Sequence, residues 1–289
     1  MPSRRNAVGR LAAAVAATLA LTAALHVPGA SAATPDAGAV EGGWNDFSCE
    51  PSPEHPRPVV LVHGTFANSA DNWFALAPHL VERGYCVFAL DYGRVPGVPL
   101  FHGVGPVAAS ARELSAYVER VLKATGATEV DLVGHSQGAT MPRHYVQFLG
   151  GAAEVGAFVG IAPPNDGLRP GGVDALLDLF PRARQVFDGT VPALADLRAG
   201  SEFMERLNAG GDTVPGVRYT VIATRHDQVV TPHTSSFLEG PNVHNVLVQD
   251  LCPLDVSEHL AVGTVDRVTF HEVTNALDPE HATPTTCFS

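Results

Sequence analysis

The sequence predicts an α/β fold in which a mostly parallel central sheet carries helices on both faces. Short apolar runs recur along the chain, and runs such as 155–161 (VGAFVGI) are typical of strands that are buried on both faces of a parallel sheet. Helical stretches separate these runs, and such alternation indicates a sheet covered on two sides. Hydrophobic residues make up 45% of the 289 residues, enough for one large core.

The first half of the chain alternates regularly. Residues 58–62 (PVVLV) form a β-branched apolar run that His63-Gly64 ends, so we predict a strand there. A helix is predicted over 72–83, because Gly84 follows it as a C-terminal cap. The next predicted elements are a strand at 85–90, a helix at 107–125, a strand at 129–133, a helix at 137–149 and a strand at 155–161.

Residues 162–214 interrupt this alternation. Prolines stand at positions 163, 164, 170, 181 and 192, between short amphipathic pieces at 173–180 and 192–207. Two interpretations remain open: a short helical cap insertion over about 165–214 that covers the site, or a loose connection packed on the sheet. Strands at 217–223 and 243–248 and a helix at 260–275 complete the predicted order.

The N-terminus has the pattern of a secretory signal peptide over 1–32. Arg4, Arg5 and Arg10 precede an uncharged apolar run at 11–25, and small residues follow at 30–32. The run is too short for a membrane span, so we expect a secreted, extracellular protein without a transmembrane anchor. General secretion is favoured over the twin-arginine route, because the residues after the arginine pair match that signal poorly. An irregular lead-in is expected over 33–57, before the main domain at 58–289.

Charge and cysteine content narrow the class of protein. Removing residues 1–32 removes three arginines and moves the formal net charge from −12 to −15, which argues against nucleic-acid binding. All four cysteines lie in the exported part, where an even number favours disulfides, and their spacing fits no zinc site. Three pairings are possible. Cys49 with Cys86 and Cys252 with Cys287 are favoured because each closes a local loop.

The motif GHSQG at 134–138 predicts a nucleophilic serine. It follows one predicted strand and precedes a helix, the context of the GxSxG nucleophile elbow. Ser136 must occupy a strained turn that exposes its hydroxyl, and Gly134 and Gly138 let the strand and the helix approach without a Cβ in the way.

A serine hydroxyl needs a base and an orienting acid, expected in the chain order Ser, Asp, His. Asp227 follows the strand at 217–223, where such a sheet carries its site, and is preferred to Asp250 and Asp255. His259 lies at the loop-to-helix junction behind the last strand and is the expected base. The other histidines are weaker candidates for the base. His244 lies within a predicted strand and His271 within a predicted helix, and His226 and His233 flank the acid as expected rim residues. His63 is expected to be a structural partner in the oxyanion loop, and His135 has no evident angle from which to take the serine proton.

An oxyanion hole needs two donors aimed at the charge that develops on a carbonyl oxygen. We expect one from the backbone N–H of Gln137 and the second from Thr65, with its hydroxyl as a further candidate donor; Phe66 is the rival. The candidates for an apolar substrate lining, each of which is equally explained as core, are Phe66, Trp73, Leu100 and Phe101.

The chain resembles the secreted α/β-hydrolase lipases, most of all the bacterial class 2 triacylglycerol lipases, with a local similarity to fungal lipase B. The resemblance rests on HGTFANSADNW at 63–73, GHSQGATMPRHYV at 134–146, ATRHDQVVTP at 223–232 and LCPLDVSEHLAVGTVDRV at 251–268. It implies the α/β-hydrolase fold and a catalytic domain at 58–289. It also implies an oxyanion hole of Thr65 and Gln137, and it supports the favoured disulfide pairing.

The resemblance further implies a secreted serine carboxylic-ester hydrolase that cleaves acylglycerols or related esters through an acyl-enzyme. No cofactor and no metal are expected for that chemistry. An ester or lipid is the expected partner, with transient contact at a lipid interface. The alternatives are an acyltransferase that uses the same three residues, an exported peptidase of the same fold, and a non-catalytic binding protein.

Overall fold

The computed structural model describes residues 43–186 and 191–289. The predicted signal peptide at 1–32 lies outside the described residues, as does the first part of the predicted lead-in. Residues 43–57 hold turns and bends rather than a helix or strand. Within the described residues, no helix combines the length and apolar character needed to cross a membrane.

Six strands form one parallel sheet with the spatial order β2-β1-β3-β4-β5-β6. Their bounds are β1 Val59–Val62, β2 Val87–Leu90, β3 Val130–His135, β4 Val155–Ile161, β5 Arg218–Ala223 and β6 Val243–Leu247. Because all six run the same way, their carboxyl ends meet at one edge of the sheet, and the loops after β1, β2, β3 and β5 emerge there. The predicted parallel sheet is confirmed.

Eleven α-helices occur among the described residues, and they cover both faces of the sheet. They are α1 Ser69–Trp73, α2 Leu76–Val81, α3 Val107–Thr125, α4 Gln137–Phe148, α5 Pro170–Leu179, α6 Pro181–Val186, α7 Pro192–Asp196, α8 Glu202–Asn208, α9 Val248–Leu251, α10 His259–Thr264 and α11 Arg267–Leu277. Four of them, α5 to α8, lie within the stretch 165–214 that breaks the strand-helix alternation.

Two helices predicted as continuous are each divided. The stretch 72–83 contains the end of α1, which already begins at Ser69, and all of α2; Pro78 has no N–H to donate to the carbonyl of Phe74 and is tolerated only in a first helical turn. The stretch 260–275 forms α10 and α11, because Asp266 starts a new helix: its carboxylate accepts hydrogen bonds from the N–H groups of Val268 and Thr269.

The core consists of two apolar clusters, one on each face of the sheet. Successive residues of β1 alternate between them, since neighbouring side chains of a strand point to opposite faces. Val60 packs in the cluster that includes α3 and α4, and Leu61 packs in the cluster that includes α1, α2 and α11. Burial of each such aliphatic side chain stabilises the fold by about 1.5 to 3 kcal/mol.

Two disulfides join loops to this core. Cys49 is bonded to Cys86 and Cys252 to Cys287, which is the pairing that the sequence favours. The bonds span 37 and 35 residues, and closing loops of that size stabilises a fold by about 3 to 4 kcal/mol each in the chain-entropy model.

Candidate active site

The turn between β3 and α4 holds Ser136 in a strained conformation. Its backbone has φ 55° and ψ −126°, a region that a residue with a Cβ rarely adopts. Glycine is sterically required on both sides of the serine. A Cβ on Gly134 would lie 2.0 Å from the carbonyl oxygen of Gly138, and a Cβ on Gly138 would lie 2.1 Å from the carbonyl oxygen of Val62. The GxSxG spacing is therefore required by close backbone contacts.

Three side chains from distant parts of the chain form a continuous hydrogen-bonded row. The Nε2 of His259 lies 3.0 Å from the Oγ of Ser136, and its Nδ1 lies 2.8 Å from the Oδ2 of Asp227. All three residues are buried, with His259 fully enclosed. When the Nδ1–H group donates a hydrogen bond to the carboxylate, the proton of the neutral ring is on Nδ1, and Nε2 has a lone pair that can accept the serine proton.

Backbone amides hold Asp227 in place. Its Oδ1 accepts hydrogen bonds from the N–H groups of Val229 at 2.8 Å and Val230 at 2.7 Å, which leaves Oδ2 for the imidazole. Both carboxylate oxygens therefore have hydrogen-bond partners, as buried polar groups normally do.

A second set of polar side chains positions the first turn of α10, which carries His259. Glu258 caps this helix by accepting hydrogen bonds from the N–H groups of Leu260 and Ala261, both at 3.0 Å. Gln228 donates to Glu258 at 2.9 Å and accepts from the N–H of His259 at 3.4 Å. Sequence reasoning missed Gln228 and Glu258, although an acidic residue directly before a helix is a recognisable capping signal.

His135, inside the elbow, contacts the backbone of the base. Its Nε2 lies 2.9 Å from the carbonyl oxygen of His259, and its Nδ1 lies 3.1 Å from the Oδ1 of Asn72. Burial lowers the pKa of His135 to about 3, so the ring is neutral at neutral pH. The close approach of α10 depends on Gly263, where a Cβ would lie 2.3 Å from the His135 ring.

The residues singled out for the oxyanion hole lie against each other. The hydroxyl of Thr65 donates to the Oε1 of Gln137 at 2.6 Å. Gln137 is the first residue of α4, so its N–H has no acceptor within the helix. The N–H of Phe66 donates to the carbonyl of His102 at 2.9 Å, and this engagement removes Phe66 as the rival donor.

A cavity of about 230 Å³ opens beside the serine. Ser136, His259 and Thr65 contribute polar groups to its wall, and its apolar wall consists of Ala67, Phe74, Leu176, Phe180 and Leu260. A larger cavity of about 690 Å³ lies along the edge strand β6, and none of the three row residues lines it.

The four apolar residues expected to line the substrate site do not line this cavity, and that prediction is corrected. Trp73, the last residue of α1, is fully buried in the core, whereas Phe74, one position later, lines the cavity. Phe66 and Phe101 pack against each other in the core, with ring centroids 5.7 Å apart. Leu100 is 58% exposed on the surface.

The rival acids and bases lie elsewhere. Asp250 pairs with Arg225 at 3.7 Å, and Asp255 accepts from the N–H of Ser257. His244 lies exposed on β6, and His226 is exposed next to Asp227. His271 contacts the carbonyl of Thr283, and His233 packs against Phe237.

One further group of side chains has the composition of a metal site. His63, Asp91 and His102 each bring a ligand atom within 4.8 Å of the others. None of the three lines the cavity beside Ser136. Among the described residues, these are the histidines and acids whose ligand atoms lie close enough together to hold one ion.

The parallel sheet, the strained elbow and the Ser-His-Asp row define an α/β-hydrolase. Residues 56–264 match the family described as lipase (class 2), and the chain belongs to this family. Solved structures agree on the fold. Lipase B of Aspergillus fumigatus superposes with a TM-score of 0.63 at 18% sequence identity, and the match covers 80% of this chain and 54% of that protein. Mature lipase BlEst2 of Bacillus licheniformis superposes with a TM-score of 0.57 at 17% identity, and the match covers 79% of this chain and 94% of that protein.

Curated relatives match over shorter stretches. Two proteins named triacylglycerol lipase, from Pseudarthrobacter phenanthrenivorans and Burkholderia plantarii, are each 38% identical over 92 residues, or 30% of this chain. The match spans only about a quarter of their length, 27% and 24%. A non-heme haloperoxidase from Rhodococcus erythropolis is 28% identical over 226 residues, which cover 73% of this chain and 76% of that protein.

Proposed function

We propose that the protein is a secreted serine carboxylic-ester hydrolase that cleaves acylglycerols or related esters through an acyl-enzyme. The observation that carries the proposal is the hydrogen-bonded row from Asp227 through His259 to Ser136, which ends at a cavity with a largely apolar wall. Membership of the lipase family supports an ester or lipid as the substrate.

The first half of the reaction makes the acyl-enzyme. The Oγ of Ser136 attacks the ester carbonyl carbon while the Nε2 of His259 takes the hydroxyl proton. The carbonyl electron pair moves onto oxygen, and the N–H groups of Thr65 and Gln137 stabilise that negative charge. As the tetrahedral intermediate collapses, the bond to the leaving alkoxide breaks, and His259 returns its proton to the alcohol.

The second half restores the enzyme. Water attacks the acyl carbon while His259 takes one of its protons, and the second intermediate expels the Oγ of Ser136, which regains a proton from the imidazole. Asp227 holds the ring and stabilises its charged form in both halves. The protein, the ester and water supply every bond and proton in these two half-reactions.

We propose that 165–214 forms a cap over the site within a catalytic domain spanning 58–289. Leu176 of α5 and Phe180, which directly follows that helix, both belong to this segment and both line the cavity. These side chains would contact the acyl group of the substrate. The exposed ring of Phe74 on the opposite wall, at 56% exposure, supports contact with a lipid interface.

Secretion is supported by the apolar N-terminal segment of the sequence and by the two disulfides, since such bonds persist in oxidising compartments. The acyltransferase alternative shares every step up to the acyl-enzyme and differs only in the acceptor. Added alcohol would then compete with water, and the ratio of ester to acid among the products measures that competition.

The test compares ester hydrolysis by the protein without residues 1–32 with that of Ser136→Ala and of the exposed control Ser48→Ala. We expect kcat to fall by on the order of 10⁴-fold or more in Ser136→Ala and to stay unchanged in the control. A fluorophosphonate should also label Ser136 covalently, as read by peptide mass. Full activity in Ser136→Ala, or no hydrolysis of any ester by the parent, would overturn the proposal, and the latter would favour a binding protein.

A further inference from the structure

The oxyanion loop comprises residues 63–66. Its first residue, His63, lies close to Asp91 and His102, and each of the three side chains offers an atom that could bind a metal ion. We propose that they form a binding site for a transition-metal ion and that this ion is Zn²⁺. The site is separate from the Ser-His-Asp row, and it goes beyond the proposed ester hydrolysis, which needs no ion.

The sheet brings two of these residues side by side. Val62 and Leu90 are register partners at the ends of β1 and β2, so His63 and Asp91 leave neighbouring parallel strands at the same level. The loop that carries His102 is tied back to the same place, since the N–H of Gly103 donates to the carbonyl of Tyr92 at 2.7 Å. The sheet register and this hydrogen bond therefore bring the three residues to one place.

The spacing suits a small tetrahedral ion. Zinc takes nitrogen and oxygen ligands at about 2.0 to 2.1 Å, which places tetrahedral ligand atoms roughly 3.4 Å apart. The Nδ1 of His102 lies 3.5 Å from the Oδ1 of Asp91, and all three ligand atoms lie within 4.8 Å of one another.

Hydrogen bonding prepares His63 as a ligand. Its Nδ1 donates to the carbonyl oxygen of Gly64 at 2.8 Å, so the proton belongs on Nδ1 and Nε2 keeps its lone pair. The other group near Nε2 is the N–H of Tyr92, at a long 3.5 Å. A metal-bound histidine almost always donates its second ring nitrogen to a carbonyl or carboxylate in this way.

His102 supplies the independent observation that points to a ligand. The residue is only 7% exposed, and its Nδ1 is buried without a hydrogen-bond partner among the described residues. A buried ring nitrogen is normally paired, so an orphan that faces a carboxylate at 3.5 Å needs a reason. An ion between Nδ1 and Asp91 would give this nitrogen a partner.

Asp91 provides charge and access. Its side chain is 30% exposed, which gives an ion a path from solvent. Its Oδ1 accepts from the N–H of Ser69 at 2.7 Å, and its Oδ2 lies 3.5 Å from Arg94, whose side chain is 63% exposed. No other positively charged side chain of the described residues makes an ion pair with this carboxylate.

The ligand set selects the class of ion. Two imidazoles and one carboxylate suit zinc, with water in the fourth position, whereas calcium and magnesium prefer oxygen ligands throughout. The ion would join the end of β1 to the loop whose His102 carbonyl accepts the N–H of Phe66. It would thereby stabilise the oxyanion loop from behind without touching the substrate.

The test is zinc titration of untagged protein by calorimetry after removal of metals, with metal content measured after dialysis. We expect one Zn²⁺ per chain and a higher melting temperature with zinc than with a chelator. His102→Gln and Asp91→Asn should each weaken binding by at least about tenfold. His281→Gln is the matched control, because it changes an exposed His-Asp pair and should bind zinc as the parent does.

A second readout needs no variant. Cobalt(II) in place of zinc should give the visible absorption bands of a tetrahedral site, and zinc should displace it. No zinc binding by the parent, or undiminished binding by a His102→Gln protein that melts normally with chelator, would overturn the site. Ester hydrolysis is assayed separately with chelator present, so failure of one proposal leaves the other testable.

Discussion

The hydroxyl of Thr65 donates a 2.6 Å hydrogen bond to the side-chain oxygen of Gln137, across 72 residues of sequence. The bond joins the two residues whose N–H groups we assign to the oxyanion hole. It therefore fixes the separation of these donors before substrate arrives, which is what a preorganised site requires.

Replacing Thr65 by valine keeps the shape of the side chain and removes this bond. We expect kcat for ester hydrolysis to fall by about 10- to 100-fold with a smaller change in KM, because the charge that needs the donors develops only in the transition state. Thr65→Ser keeps the hydroxyl and should retain most of the activity. Equal kinetics for the valine and serine variants would remove the hydroxyl from the mechanism.

Asp227→Asn should reduce kcat by on the order of 10³- to 10⁴-fold. The amide oxygen can still accept from the N–H groups of Val229 and Val230, which turns the NH₂ group toward the Nδ1 of His259. The imidazole would then carry its proton on Nε2 and could not accept one from serine. Asp250→Asn, a surface change, serves as the control, and a large loss there would move the acid to Asp250.

Phe180→Ala should shift the preference toward longer acyl chains. The cavity of about 230 Å³ is small beside the roughly 300 to 1,000 Å³ usual for ligand pockets, and the Phe180 ring forms part of its wall. The ratio of kcat/KM for octanoate over butyrate esters is the measurement, and we expect it to rise. Phe148→Ala alters a half-exposed ring outside the cavity and should leave this ratio unchanged.

Gly138→Ala should lower the free energy of unfolding by about 3 kcal/mol or more, because the added Cβ would lie 2.1 Å from a backbone oxygen. Gly171→Ala places its Cβ in open space and should change stability by less than about 1 kcal/mol. Denaturant unfolding measures both. Similar stability in the two variants would contradict the close contact between β1 and α4.

Stability should fall as the pH drops below about 6.5, the ordinary pKa of histidine. Burial lowers the pKa of His135 to about 3 and the pKa values of His63 and His79 to about 4, so these rings stay neutral in the folded protein while the unfolded chain takes up protons. Each contributes a slope of up to about 1.4 kcal/mol per pH unit.

The measurement is the free energy of unfolding between pH 6.5 and 5, above the range of ordinary carboxylates and with chelator present. His79→Gln removes one of the three groups without touching the site, and the slope should decrease. His79 is only half-buried, so solvent screens part of the effect. The slope should therefore decrease by less than the full contribution of one buried histidine. An unchanged slope would mean that His79 is not neutralised by folding.

Much of the fold could be predicted because local patterns specify it. The apolar runs and intervening helices indicated the parallel sheet, and α3 and β4 have the predicted bounds. The division of 72–83 was missed, although Pro78 is a local signal for it. The helix boundary at Asp266, which caps α11, was also missed. The residues on both sides of this aspartate have helical composition, so the sequence was interpreted as one helix.

Three site residues could be singled out because each lies at a predictable junction. Ser136 has the elbow motif, Asp227 follows a strand, and His259 begins a helix after the last strand. The structure brings them into one hydrogen-bonded row. The supporting roles of Asn72 and Gln228 were not predicted, because their contacts arise only when separate loops meet, and the capping signal of Glu258 does not show that it acts beside the base.

The sequence by itself determined the fold class, the strained elbow and the chain order of serine, acid and base, since these follow from hydrophobic period, glycine sterics and the position of loops after strands. Only the tertiary structure decided which side chains line the cavity. The adjacent residues Trp73 and Phe74 point in different directions at the end of a short helix, so one is buried in the core and the other lines the cavity. Composition cannot separate them, because both are large, apolar and equally suited to either place.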